Sequence, residues 1–181
     1  MGFYLDINSP LFMNASLRYL TGYTDELTGQ IQILLDNNTL KNHLLKKYPK
    51  PHGITNDKAL RDFVMAIKNR YLKQSSPLSK IVFDKKIHVI NNALGLHTYV
   101  SRVQGSKLKS KNEIRIATVF QRAPEEFLAM IVVHELAHLK EKEHNKNFYQ
   151  LCQHMLPDYH QLEFDLRVYL TQLEKLGAIY S

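Results

Sequence analysis

The chain has 181 residues, of which 44% are hydrophobic and 23% charged, a size and composition that fit one folded domain with its own core and exclude a disordered or fibrous protein. Its one cysteine, Cys152, cannot close an internal disulfide, and no apolar run approaches the ~18 residues that span a bilayer, which excludes a disulfide-stapled scaffold and a helical membrane protein. The net charge of +7 is uneven: Lys41 to Arg115 carries 17 Lys/Arg against Asp57, Asp62, Asp84 and Glu113, whereas the remainder is net acidic.

A basic middle attracts phosphates or an acidic partner. No aromatic-interleaved motif accompanies it, which disfavours a nucleic-acid-binding module against a solvated basic face. Asp6, Asn8, Pro10, Asn14 and Arg18 interrupt the first twenty residues, so no signal-peptide core forms, and Asp6 stands where a myristoylation signal needs Ser or Thr. These features predict a cytoplasmic protein; they leave the oligomeric state open.

The N-terminal part, residues 1–76, reads as helices. Thr24 or Asp25 can cap a run with Leu27, Ile31, Leu34 and Leu35 at helical spacing, and Leu40, Leu44 and Leu45 predict a second short helix before Pro49. Pro49, Pro51 and Gly53 mark a loop. Asn56 or Asp57 then opens an amphipathic helix with Leu60, Phe63, Val64, Ile67, Tyr71 and Leu72 on one stripe.

After Pro77 the texture becomes β-prone: Ile81-Val82-Phe83, Ile87-His88-Val89-Ile90, Thr98-Tyr99-Val100 and Ile114-Arg115-Ile116-Ala117 are separated by Asp84-Lys85, Asn91-Asn92 and Gly105-Ser106. These spacings predict a small, mostly antiparallel sheet. Pro124-Glu125-Glu126 starts a helix that is apolar nearly all round and runs into His134-Glu135-Leu136-Ala137-His138. Asn145 or Asn147 can cap a further helix toward Met155, and a last helix from about Gln161 follows Pro157. The fold class is α+β with helical N-terminal and C-terminal parts; residues 77–181 hold the chemistry, and the whole is expected to form one compact unit.

The HExxH pattern places two histidines one turn apart on one helix face, where both imidazoles reach a single Zn²⁺ at about 2.0–2.1 Å. Glu135, rotated about 100° from His134, addresses the open side of the metal and can take a proton from the attacking water. Two histidines and a glutamate in so apolar a helix are costly to bury unless paired or bound to metal. A third ligand is needed. Glu163 and Glu174 would give a His-His-Glu site, His144 a three-histidine site, and His154 and His160 are weaker candidates. His144 follows His138 by six residues, the interval that separates the last two metzincin ligands, but Glu141 stands where metzincins have the helix-breaking glycine. A helix continued to His144 would carry it away from the metal, so the helix must stop near Lys140–Lys142.

From Val132 to Tyr149, including His134-Glu135-Leu136-Ala137-His138 and His144, the sequence resembles the YgjP-like metal-dependent hydrolases. The likeness extends through Lys86–Ile90, Gly95-Leu96-His97 and Ser101–Gly105 upstream and Met155–Arg167 downstream. The resemblance implies a zincin-like domain related to SprT-like and WLM peptidases, with His144 as third zinc ligand beside His134 and His138. It also implies hydrolysis of either peptides or nucleoside triphosphates to monophosphate and diphosphate. Where many broader relatives have Trp-Gly-Ser-Cys, this chain has Gln104-Gly105-Ser106-Lys107. That exchange places Lys107, Lys109 and Lys111 near the expected cleft edge, where they would suit a triphosphate. Tyr159, His160 and Arg102 are candidates to stabilise the developing negative charge.

Overall fold

The computed structural model describes residues 17–87, 95–104 and 107–180, with the backbone alone for residues 95–104 and 107–111. The chain divides into two compact units, Met1–Pro49 with Glu163–Ser181, and Lys50–Leu162. Among the described residues there are six α-helices and three strands, and no helix is long and apolar enough to cross a membrane.

In the first unit, α1 (Asp25–Asp36) begins where the Thr24 side chain accepts the Leu27 N–H, with Asp25 and Glu26 at the positive end of its dipole. It buries Ile31 and Leu35 and is followed by Asn38 at φ +54°, a left-handed turn residue that lets α2 (Leu40–Lys47) start two residues later. The terminal segment is bound by polar side chains. The Asp165 carboxylate accepts from Lys47 and from the Tyr48 hydroxyl at 2.6 Å, and the Tyr180 hydroxyl donates to the Tyr48 carbonyl at 2.6 Å. Buried acceptors satisfied in this way fix the packing of Tyr48, Ile179 and Tyr180.

The second unit is built on α3 (Asp57–Tyr71), β1 (Leu78–Asp84), β2 (Gly95–Gln104), β3 (Lys107–Ala117), α4 (Glu125–Ala137) and α5 (Lys146–Met155). Asn56 caps α3 through the Ala59 N–H at 2.9 Å, and Asp57 accepts the Phe83 N–H at 2.8 Å, tying the start of that helix to β1. Leu60 and Val64 on its stripe are fully buried. The sheet order is β1-β3-β2.

The expectation of a mostly antiparallel sheet is corrected here. β1 runs parallel to β3, with Ile81 opposite Ile114 and Phe83 opposite Ile116, whereas β2 is antiparallel to it, with Gln104 opposite Lys107. A two-residue connection obliges β2 and β3 to run in opposite directions, but ten residues separate β1 from β2, enough to place β1 on the far side of β3. The run Ile87–Ile90 forms no described strand, since Ile87 lies after β1 and residues 88–90 fall outside the described residues.

Ile114 and Ile116 of the central strand are buried, and on the other face Arg115 donates to Asp84 at 2.8 Å and Glu113 at 2.9 Å. A short 3₁₀ turn, Thr118–Arg122, then leads to α4. The neutral His52 ring clamps this approach: Nδ1 accepts the Ile54 N–H, so Nε2 carries the proton and donates to the Phe120 carbonyl at 2.8 Å. The His52 N–H also donates to the Ala123 carbonyl. Burial lowers the His52 pKa, in keeping with that neutral tautomer. Phe127, Leu128, Met130, Ile131, Val132 and Val133 make α4 a core helix, apolar on every side. α6 (Tyr159–Leu176) begins with its first turn in this unit, two residues earlier than the sequence pattern places it.

Candidate metal centre

Three histidines meet at the C-terminal end of α4. His134 is in its last turn, His138 is its C-cap, and His144 directly precedes Asn145, whose side chain accepts the Phe148 N–H and caps α5. The helix stops at Ala137, about one turn before the stop expected at Lys140–Lys142. The Leu139 and Lys140 N–H groups bond back to Leu136 and Ala137 in a tight turn. That early stop replaces the helix-breaking glycine, and it allows the chain to return His144 to the first two histidines.

The Nε2 atom of His144 lies 3.1 Å from Nε2 of His134 and 3.1 Å from Nε2 of His138. Tetrahedral zinc with nitrogen ligands at 2.0–2.1 Å sets its donors about 3.3 Å apart, so this spacing fits one small cation. Two of the three outer nitrogens have hydrogen-bond partners, as such ligands require. The Glu141 carbonyl can only accept, so His138 Nδ1 at 2.9 Å carries a proton and its Nε2 presents a lone pair. His134 Nδ1 lies 2.7 Å from the Tyr159 hydroxyl, which fixes that ring in the same orientation. Facing lone pairs at 3.1 Å repel unless a cation or a proton stands between them. Burial, the main influence on His138, lowers its pKa and favours the neutral form a metal needs.

Among the described residues, these three are the one group of metal-ligating side chains that converges. The alternatives lie in other arrangements: Glu163 accepts from Arg167, Glu174 pairs with Arg18, and the His154 ring packs on Tyr71. His160 is exposed, with its ring 5.3 Å from that of Tyr149. The side chains of Arg102, Lys107, Lys109 and Lys111 lie outside the described residues.

Glu135 is 2% exposed, and burial pushes its carboxyl up to about 8. A dication beside it acts in the opposite direction and favours the carboxylate. Tyr159, a candidate for stabilising the developing negative charge, is fully buried, with its hydroxyl against His134 Nδ1. No signal in the sequence marks the Glu141 carbonyl, because any residue supplies one. Replacing Tyr159 by phenylalanine keeps the ring packing and removes only the hydroxyl. Zinc affinity is expected to fall about 10–100-fold in a competition titration, the usual range for an outer partner of a metal-bound histidine. An unchanged affinity would show that the hydroxyl does not orient the ligand.

Comparison with known proteins agrees with this architecture. The family model described as YgjP-like, metallopeptidase domain, matches residues 35–169. A protein from Escherichia coli (strain K12) named UTP pyrophosphatase is 59% identical over 159 residues, covering 88% of this chain and 95% of that protein. No solved structure matches the chain. A family model spanning most of the chain and a relative this similar over nearly all of its length lead to one conclusion: the chain belongs to the YgjP-like family.

Proposed function

We propose that this protein is a zinc-dependent hydrolase that cleaves a nucleoside triphosphate, UTP foremost, to the monophosphate and diphosphate. The observation that carries the metal-dependent part is the approach of three imidazole nitrogens, two of them held by partners on their outer nitrogens. The substrate part is supported by the printed name of the 59% identical relative and by the basic segment Lys41 to Arg115.

His134, His138 and His144 would hold the ion, which supplies a polarising charge and lowers the pKa of a coordinated water toward ~7. Glu135 takes a proton from the water that attacks phosphorus and passes it to the departing diphosphate oxygen. One P–O bond forms, one breaks, and the proton ends on the leaving group. The Glu141 carbonyl keeps His138 in the tautomer that leaves Nε2 available, and the Tyr159 hydroxyl holds the His134 ring in place. The neutral ligand set, with no thiolate or carboxylate, leaves the positive charge of the ion undiminished toward an anionic substrate.

The family description favours a second reading, hydrolysis of a peptide bond by the same three histidines and Glu135. The two separate on salt. Diphosphate release from UTP is expected to require zinc and to weaken between about 50 and 300 mM salt through a rising Michaelis constant, because the basic segment attracts the triphosphate through screened charge. Cleavage of peptides with no diphosphate released, insensitive to salt, would leave the peptidase reading in its place.

A further inference from the structure

The three imidazoles share one aromatic neighbour. The Phe148 ring centroid lies 4.9 Å from that of His134, 4.7 Å from His138 and 4.8 Å from His144. The imidazole centroids are themselves 5.0, 4.9 and 4.9 Å apart. Four rings therefore stand at the corners of a nearly regular tetrahedron. Phe148 is fully buried, and the Asn145 cap that holds its N–H at 3.0 Å belongs to the residue directly after His144. One capping turn thus sets both the third histidine and the ring beneath it.

We infer that Phe148 is the floor of the metal site: it sets the angles at which the three imidazoles converge and closes one side of them, so the exchangeable coordination position lies on the side away from its ring. This rests on the zinc reading above. The Nε2 atoms of His144 and its two neighbours approach to 3.1 Å while the ring centres stay near 4.9 Å apart, so the nitrogens converge. A phenyl ring less than 5 Å from every imidazole leaves no space for an ion or a water between itself and the triad. The ion must lie on the other face, and with it the position where water and substrate exchange. Close packing of a flat ring against two imidazoles edge-on, at 74° and 81°, also restricts their rotation. Such restriction is the apolar counterpart of the outer-nitrogen bonds to Tyr159 and Glu141.

The test replaces Phe148 by leucine and compares it with Phe127→Leu, an equally buried aromatic near the start of α4, the helix that carries His134. Both proteins are titrated with zinc against a chromophoric chelator, and both are loaded with cobalt for visible spectroscopy. Phe148→Leu is expected to weaken zinc binding about 10–100-fold, and its cobalt complex should lose visible absorption as water enters from the opened side and raises the coordination number. Phe127→Leu should lower the melting temperature comparably while keeping the wild-type affinity and spectrum. Wild-type affinity and spectrum in Phe148→Leu would overturn the floor, as would an equal loss in both variants, which would make the effect one of general core packing. Failure of the wild-type protein to bind zinc at all would overturn the metal reading itself, a result distinct from either.

Discussion

Glu135→Gln is expected to keep its zinc and its fold while losing at least ~10²-fold in turnover, the usual scale for a positioned general base. Glutamine matches the volume of glutamate, so a site 2% exposed to solvent stays filled, but an amide cannot accept the proton of the attacking water. The substitution also introduces no new buried charge. In the metal-free protein burial already pushes the carboxyl up to about 8, toward the neutral form that glutamine mimics. Metal content, melting temperature and diphosphate release from UTP, measured on one preparation of each protein, separate the outcomes. Loss of zinc would move Glu135 into the coordination sphere, and equal activity in both proteins would assign the hydrolysis to a contaminant.

His144→Ala should act on the metal instead. It removes one of the three converging nitrogens, so zinc affinity should fall by more than the ~100-fold that marks the upper range for outer partners. Because His144 is exposed, the metal-free protein should keep its stability within about 0.5 kcal/mol. His154→Ala and His160→Ala should leave a stoichiometry near one, since one ring packs on Tyr71 and the other on Tyr149. Full, tight zinc in the His144 variant would point to a downstream carboxylate as the third donor.

Local signals in the sequence were the most informative. The caps at Thr24, Asn56 and Asn145 are legible because a short polar side chain before a helical run has an N–H within reach, and all three make that bond. The buried character of α4 is legible in its unbroken apolar run. The grouping of His134 with His138 follows from one helical turn, whereas His144 joins them only if the helix stops, which spacing permits but does not require. Pairing across long distances is less accessible. The strand pattern of Ile81–Phe83 gives a strand but no partner, and only a short connection such as residues 105–106 fixes direction; hence the parallel β1–β3 pair escapes a reading based on turns. Tyr159 stands 25 residues from His134, and nothing in the periodicity of α6 brings its hydroxyl to that ring. Phe148 escapes for a related reason, since an apolar residue in the first turn of a helix reads as ordinary core.

A three-histidine metal centre with an exchangeable position is tested most directly by a crystal structure of the zinc-loaded protein with anomalous data at the zinc edge. One zinc peak should lie about 2.0–2.1 Å from Nε2 of His134, His138 and His144. A water should complete the coordination on the side away from Phe148, with Glu135 unbound to the metal. Zinc held by only two of these histidines, or by Glu135 or a carboxylate of α6, or bound elsewhere with the three histidines unliganded, would contradict it.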